Sequence, residues 1–169
     1  MNVGIKFRLA LLIASTVLLS NTVARGADIS VEENIVYGKA GPTELKLDLA
    51  RPAGEGPFPV IVFIDGGGWA HGNRQGYRAQ IEDAAKRGYV AATISYRLMV
   101  YDESKKETTT ATPIFPAQIH DAKAAVRWLR ANAGKYQVDP NRIGVTGQSA
   151  GGHLSLTSAM IPESAGLDR

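Results

Sequence analysis

The sequence contains no cysteine. This absence excludes disulfide bonds, zinc sites built on thiolates, iron–sulfur clusters and cysteine nucleophiles. Aromatic residues make up only 7% of the 169 residues and charged residues 21%, a composition that excludes collagen and coiled-coil proteins and is ordinary for a globular chain. The Gly-Lys-Ser/Thr pattern of a phosphate-binding loop is also missing. A chain of this length is expected to form about one domain.

The excess of positive charge lies entirely at the N-terminus. Lys6, Arg8 and Arg25 precede the first acidic residue, Asp28, and without these three the basic residues equal the 16 acidic ones. The net charge of +3 is therefore a property of the first residues and not of the remaining chain. Because no basic stripe is left, we expect no nucleic acid among the partners.

Residues 1–24 have the pattern of a secretory signal peptide. Two basic residues lie within residues 1–8, residues 9–20 are uncharged, and Thr22 and Ala24 are the small residues expected before a cleavage site. We predict cleavage after Ala24, with Gly26 and Ala27 as alternatives. The apolar run is too short to cross a bilayer as a helix. We therefore expect export to the periplasm or the outside of the cell, without a stable membrane anchor.

The hydrophobic pattern of the remaining chain predicts alternating strands and helices. Residues 44–49 alternate between leucine and charged side chains, which indicates a half-buried strand, whereas residues 60–64 are continuously apolar and suit a strand buried on both faces. Polar residues 98–112 are predicted to form a surface loop. Further strands are predicted at residues 35–37, 89–95 and 142–146, and helices at residues 77–87, 116–133 and 151–160. This order predicts an α/β fold with a parallel sheet core.

Residues 147–151 read Gly-Gln-Ser-Ala-Gly and lie between a predicted strand and a predicted helix. In this context Gly-x-Ser-x-Gly predicts a nucleophile elbow, a turn so tight that Gly147 and Gly151 cannot carry side chains. The turn would present the hydroxyl of Ser149 at the N-terminus of a helix, where developing negative charge is favoured. We therefore predict Ser149 as a catalytic nucleophile.

A second motif, Asp-Gly-Gly-Gly-Trp, directly follows the strand at residues 60–64; we call residues 65–73 the glycine loop. Consecutive glycines let backbone N–H groups face one point, as an oxyanion hole requires. We predict its donors to be the N–H groups of Gly67 and Gly68, with that of Ala150 as a third. Residues of the loop that could line a substrate site are Asp65, Trp69 and His71.

These motifs, together with residues 95–98 and 120–129, resemble the α/β-hydrolase superfamily. The chain looks most like its esterase/lipase branch, which includes hormone-sensitive-lipase-like and feruloyl- or acetyl-esterase-like enzymes. The resemblance covers about residues 31–160. It implies a three-layer sandwich with a mostly parallel sheet, and hydrolysis of a small ester, acylated carbohydrates included, through an acyl-enzyme. It implies no cofactor and no metal.

The chain departs from this family at Asp65, where the family usually has a histidine. A carboxylate beside an oxyanion site would oppose the charge that develops there. From the sequence alone we therefore expect Asp65→His to raise esterase activity.

A second departure concerns the catalytic triad, in which an acid and then a histidine follow the serine along the chain. Only 20 residues follow Ser149, and they contain no histidine after His153. We expect His153 to pack near the sheet, Asp121 to pair with Arg97, and His71 not to act as the base.

The triad acid and histidine are therefore expected to be absent from this chain. Residues 28–169 would be the N-terminal part of a hydrolase domain whose last strands and helices are missing, and the strand at 142–146 would be an exposed edge. Two alternatives stay open. One is a non-catalytic binding protein on the same fold, and the other is a serine peptidase or acyltransferase.

Overall fold

The computed structural model describes residues 28–100, 113 and 115–166. The predicted signal peptide and most of the predicted loop at 98–112 lie outside the described residues. The strands are β1 (Ile29–Ala40), β2 (Thr43–Pro52), β3 (Phe58–Ile64), β4 (Val90–Ile94) and β5 (Val138–Gly147). The α-helices are α1 (Arg78–Lys86), α2 (Ala117–Ala131), α3 (Ala133–Tyr136) and α4 (Ala150–Met160), with 3₁₀ turns at Arg74–Tyr77 and Glu163–Ala165.

Every predicted strand and helix is present, but several bounds differ. The two N-terminal strands are longer than predicted because they pair with each other as a hairpin over most of their length, with two shifts of register. The predicted helix at 116–133 ends at Ala131, and Ala133 begins the separate α3. The break lies at Asn132, whose side-chain amide and backbone N–H both donate to the carbonyl of Trp128, at 2.8 and 3.0 Å. The side-chain amide thus shares one carbonyl with the regular helical bond of the Asn132 backbone, and such side-chain bonds to the backbone compete with helix continuation.

The five strands form one mixed sheet in the order β1-β2-β4-β3-β5. Strand β3 pairs in parallel with β4 on one side and with β5 on the other. Strand β2 pairs antiparallel with both β1 and β4. Parallel pairing is thus confined to the half of the sheet that carries the two glycine motifs. Among the described strands, β5 forms the edge of the sheet, as predicted.

Helices cover both faces of the sheet, which gives the three layers expected of this fold. On one face α2 and α4 bury Ile119, Leu129 and Leu154 against the strands. On the other face Ile81 and Ala85 of α1 pack against Ala91 of β4. Removing these apolar side chains from water is the main contribution to the stability of such a layer structure.

An ion pair joins the segment after β4 to helix α2. The guanidinium of Arg97 donates to both carboxylate oxygens of Asp121, with the shortest contact at 2.7 Å, and the Arg97 backbone N–H donates to Asp121 as well. Hydrogen bonding of its guanidinium to the Asp121 carboxylate raises the pKa of Arg97. The pairing predicted from the sequence is therefore confirmed, and it fixes α2 against the end of β4.

Within the described ranges, no helix combines the length and the apolar character that crossing a membrane would require.

Candidate active site

Ser149 occupies the sharp turn between β5 and α4. Strand β5 ends at Gly147 and α4 begins at Ala150, so that two residues reverse the chain. The backbone of Ser149 has φ 53° and ψ −120°, a conformation that non-glycine residues rarely adopt and that surrounding structure must enforce. The serine is exposed, so the turn presents its hydroxyl to solvent at the N-terminus of a helix.

The glycines on either side of Ser149 are required by the end of β3. A Cβ atom on Gly147 would lie 2.4 Å from the carbonyl oxygen of Ile64, and one on Gly151 would lie 2.0 Å from the same oxygen. Such distances are far inside van der Waals contact with backbone atoms that cannot move away. Both glycines therefore let β5 and α4 approach β3 closely enough to form the elbow.

The glycine loop packs directly against this elbow. A Cβ on Gly66 would lie 2.7 Å from the carbonyl oxygen of Gln148 and 3.4 Å from the Cβ of Ser149. The next three residues, Gly67, Gly68 and Trp69, have φ of 110°, 59° and 61°. This run of left-handed conformations is open to glycine and uncommon for tryptophan, and it turns the backbone of the loop next to the serine.

Three backbone N–H groups of the glycine loop and the elbow have no hydrogen-bond acceptor among the described residues. Among the described residues, the amides of Gly67, Gly68 and Ala150 donate to no other group, whereas the amides of Ala70 and His71 donate to the carbonyl of Gly67. Gly67 and Gly68 are exposed. Backbone N–H groups that lack a protein acceptor can bind the oxygen of a polarised carbonyl, and a helix N-terminus favours such binding.

An apolar cavity of about 340 Å³ adjoins the glycine loop at Trp69. The indole of Trp69 meets the His153 ring edge-on, with centroids 5.4 Å apart. The residues that line the cavity come from four parts of the chain: the glycine loop, the segment after β4, the start of α2 and helix α4. They are Trp69, Met99, Phe115, Gln118, Ile119, His153 and Leu154. The cavity is of the size and character of a small-molecule site.

Among these lining residues, the sequence predicted Trp69 and the loop at 98–112, which contains Met99, as possible parts of a substrate site. His153 was expected to pack near the sheet, yet it is exposed and forms part of the cavity wall. A signal for this was present, because residues four apart share one face of a helix and His153 is four residues after Ser149. The residues from α2 carried no such signal.

Asp65 and His71 do not line this cavity. The carboxylate of Asp65 accepts hydrogen bonds from the backbone N–H groups of Gly66 and Asn73, at 2.9 and 2.5 Å. Tyr96 donates its hydroxyl to the carbonyl of Asp65 at 3.1 Å. Burial raises the pKa of Tyr96 to about 12, and the negative charge of Asp65 adds to the shift. His71 is exposed, and its backbone closes the turn of the glycine loop.

Within the described part of the chain, no side chain hydrogen-bonds to the hydroxyl of Ser149. His120 lies on α2, and its Nε2 is buried without a hydrogen-bond partner there. The same residues contain no group of three or more His, Asp or Glu side chains able to hold a metal ion. The structure thus places the glycine loop against the elbow of Ser149, and an apolar cavity next to Trp69 of that loop.

A family model and several curated relatives of this chain all point to esterases. The BD-FAE family model matches residues 47–169. Esterase LipC of Mycobacterium tuberculosis is 40% identical over 62% of this chain and 23% of its own length. Carboxylesterase NlhH of the same species is 31% identical over 82% of this chain and 40% of its own.

Solved structures of esterases also resemble this chain. The propionate-bound esterase Est2 of Thermogutta terrifontis is 35% identical, with a TM-score of 0.65 over 82% of this chain and 47% of that one. The same esterase has also been solved after phosphorylation by paraoxon. The chain spans less than half the length of each of these relatives. On its sequence, its elbow and its sheet, the chain belongs to the BD-FAE family, within the esterase branch of the α/β-hydrolases.

Proposed function

We propose that this chain carries the nucleophile and the oxyanion hole of a serine carboxylic-ester hydrolase. The observation that carries the proposal is the close approach of Gly66 to Gln148 and Ser149, which places a loop with free amides beside a strained, exposed serine. The esterase names of the relatives support the same activity.

In the proposed reaction the hydroxyl oxygen of Ser149 attacks the carbonyl carbon of an ester. The carbonyl oxygen becomes an oxyanion that accepts hydrogen bonds from the amides of Gly67, Gly68 and Ala150. A histidine takes the serine proton and passes it to the leaving alcohol, and water then releases the acid from the acyl-enzyme. We expect this histidine and its orienting acid in the part of the relatives that the present chain does not cover. No residue proposed here needs a cofactor or a metal.

The cavity beside Trp69 is the proposed binding site for the apolar part of the substrate. Its volume of about 340 Å³ and its largely apolar lining suit a short acyl chain or a small ring better than a charged group. The propionate bound to Est2 favours a short acyl chain. Small esters, with acylated carbohydrates among them, are therefore the proposed substrates.

Residues 1–24 are proposed to direct export. Their support is the sequence pattern alone, a basic head followed by an uncharged run and small residues. Mass spectrometry of the protein recovered from the periplasm or the medium should give an N-terminus at Arg25. Recovery of the uncleaved chain in the cytoplasm would contradict this proposal.

Labelling with a fluorophosphonate probe tests the nucleophile, because the probe reacts with activated serines. The probe should label the protein at Ser149, slowly because no described base contacts its hydroxyl, and should not label Ser149→Ala. The control Ser30→Ala, which removes another exposed hydroxyl, should be labelled at the same rate as the unchanged protein. Paraoxon is a suitable second reagent, since it phosphorylates Est2. Equal labelling of Ser149→Ala would exclude the proposed nucleophile. No labelling of the unchanged protein by either reagent would favour a non-catalytic binding protein.

A substrate panel separates ester hydrolysis from the other reactions of this fold. Short p-nitrophenyl esters, acetylated sugars and peptides should be compared for hydrolysis that depends on Ser149. We expect esters to be hydrolysed and peptides not. The 169-residue chain alone should show little turnover, because losing the base and the acid of a triad costs several orders of magnitude in rate.

A further inference from the structure

We propose that Asp65 is a positioning residue that clips the two ends of the glycine loop together and so holds the oxyanion-hole amides in register with Ser149. The inference rests on the proposed function for its catalytic consequence. The clip itself is a pair of hydrogen bonds, and its existence does not depend on catalytic activity.

The clip consists of one carboxylate bonded to both ends of the loop. Its Oδ1 accepts from the N–H of Gly66 at 2.9 Å, and its Oδ2 accepts from the N–H of Asn73, eight residues along the chain, at 2.5 Å. The two ends also meet through the backbone, since a Cβ on Gly72 would lie 3.2 Å from the carbonyl oxygen of Gly66. Hydrogen bonds to an ionised acceptor are roughly twice as strong as those between neutral groups.

The residues between these ends need such a constraint. Gly67, Gly68 and Trp69 all have positive φ, and glycines lose more conformational freedom on ordering than other residues. The amides of Ala70 and His71 close one turn onto the carbonyl of Gly67, at 3.2 and 2.9 Å. The amides of Gly67 and Gly68 have no acceptor of their own in the described structure, so their direction depends on the closure of the loop.

The rest of the molecule anchors each end of the clip. At the first end, the hydroxyl of Tyr96 donates to the carbonyl of Asp65. Beyond the second end, Nε of Arg74 lies 3.1 Å from the buried carboxylate of Asp48, as an ion contact without hydrogen-bond geometry. The hydroxyl of Thr93 also donates to the carbonyl of Arg74 at 2.9 Å. The carboxylate of Asp65 therefore joins two fixed points.

The side chain of Asp65 also lies apart from the proposed substrate cavity. It lines a separate small cavity of about 50 Å³, formed with Asn73, Tyr96 and neighbouring residues. With both oxygens bonded to backbone amides, its charge is balanced locally by those N–H dipoles. A neutral histidine ring has one acceptor nitrogen and could keep at most one of the two bonds. The geometry thus reverses the expectation from the sequence, and we expect Asp65→His to lower activity.

The test compares Asp65→Ala, Asp65→Asn and Asp65→His with Asp83→Asn. The control removes a carboxylate that pairs with Arg87 on the exposed side of α1, so it matches the change in charge. Amide hydrogen exchange at Gly66 and Asn73 reports the clip in the 169-residue chain, independently of turnover. The values of kcat and KM for p-nitrophenyl acetate, per titrated active site, report positioning in protein whose hydrolysis depends on Ser149.

We expect Asp65→Ala to speed exchange at both amides at least about tenfold and to lower kcat about 10- to 100-fold, with KM changed less than about threefold. Asp65→Asn keeps a carbonyl acceptor, so its exchange rates and its kcat should lie between those of Asp65→Ala and the unchanged protein. It replaces Asp65→Ala in the test if that variant does not fold. Asp83→Asn should change neither quantity.

Each other result is decisive. Unchanged exchange at Gly66 and Asn73 in Asp65→Ala would overturn the clip. Faster exchange with unchanged kcat would show a clip without a positioning role. If the unchanged protein shows no hydrolysis that depends on Ser149, the proposed function fails and the positioning role fails with it, while the exchange data still decide whether the clip exists.

Discussion

At the scale of single residues, the site depends on positions where a side chain would collide with backbone. Gly151 is the clearest of them, since its Cβ would meet the carbonyl oxygen of Ile64 at 2.0 Å and that of Asp65 at 2.7 Å. Gly134, in the short helix α3, has nothing within 4 Å of the same position. The two glycines therefore form a matched pair for one substitution.

We expect Gly151→Ala to lower the free energy of unfolding by about 3 kcal/mol, because forced separation of packed elements costs about this much. Gly134→Ala should leave it unchanged or raise it by up to about 1 kcal/mol, since alanine favours a helix over glycine. Urea denaturation followed by circular dichroism measures both. Equal midpoints for Gly151→Ala and the unchanged protein would mean that the elbow is packed less tightly than described.

At the scale of elements, the pair between Arg97 and Asp121 connects the end of β4 to α2. The Asp121 side chain is 3% exposed and that of Arg97 25%, so the pair is largely shielded from water. The connection matters for the site because α2 supplies Gln118 and Ile119 to the cavity wall. A loosened α2 would change the cavity as well as the stability.

Asp121→Asn should therefore destabilise the protein by about 3 kcal/mol, near the lower end for breaking a buried pair, because Arg97 keeps some access to water. Asp83→Asn, which removes a pair exposed to 60% or more on both sides, should cost less than about 1 kcal/mol. Thermal unfolding of both variants measures the difference. Equal costs would show that burial does not strengthen the first pair.

The elbow and the glycine loop of the candidate site were predictable from sequence because their signals are local. Gly147 and Gly151 flank Ser149 at fixed offsets, and the glycine loop follows an unbroken apolar strand. The clip of Asp65 was not predictable, since its partner Asn73 is brought back only by the path of the loop. The cavity was also missed, because Phe115 and Gln118 reach it through the packing of α2. The break at Asn132 depends on a side-chain hydrogen bond that no periodicity encodes.

At the scale of the whole molecule, one flank of the sheet is apolar and uncovered in the described structure. Strand β5 pairs only with β3, and the neighbouring α4 exposes Leu156 and Met160 to 62% and 75%. Edge strands with apolar surroundings tend to associate with other chains. The apolar surface at the predicted exposed edge therefore continues onto one face of α4.

We expect the 169-residue chain to self-associate with rising concentration, and the double variant Leu156→Lys with Met160→Lys to reduce this association at least about tenfold, because like charges oppose apolar contact. Val36→Lys, which changes an exposed apolar residue of β1 at the other end of the sheet, is the control and should have little effect. Sedimentation velocity measures the association. A double variant that associates as strongly as the unchanged chain would exclude this flank.

The contact between Trp69 and His153 also gives the molecule an optical reporter. The sequence has two tryptophans, and the other, Trp128, packs against Tyr136 with ring centroids 5.2 Å apart. In a Trp128→Phe variant, all tryptophan fluorescence would come from Trp69, which lies in the wall of the cavity. Occupation of the cavity by propionate or an uncleavable ester could then be followed by fluorescence, so ligand affinity becomes measurable independently of turnover.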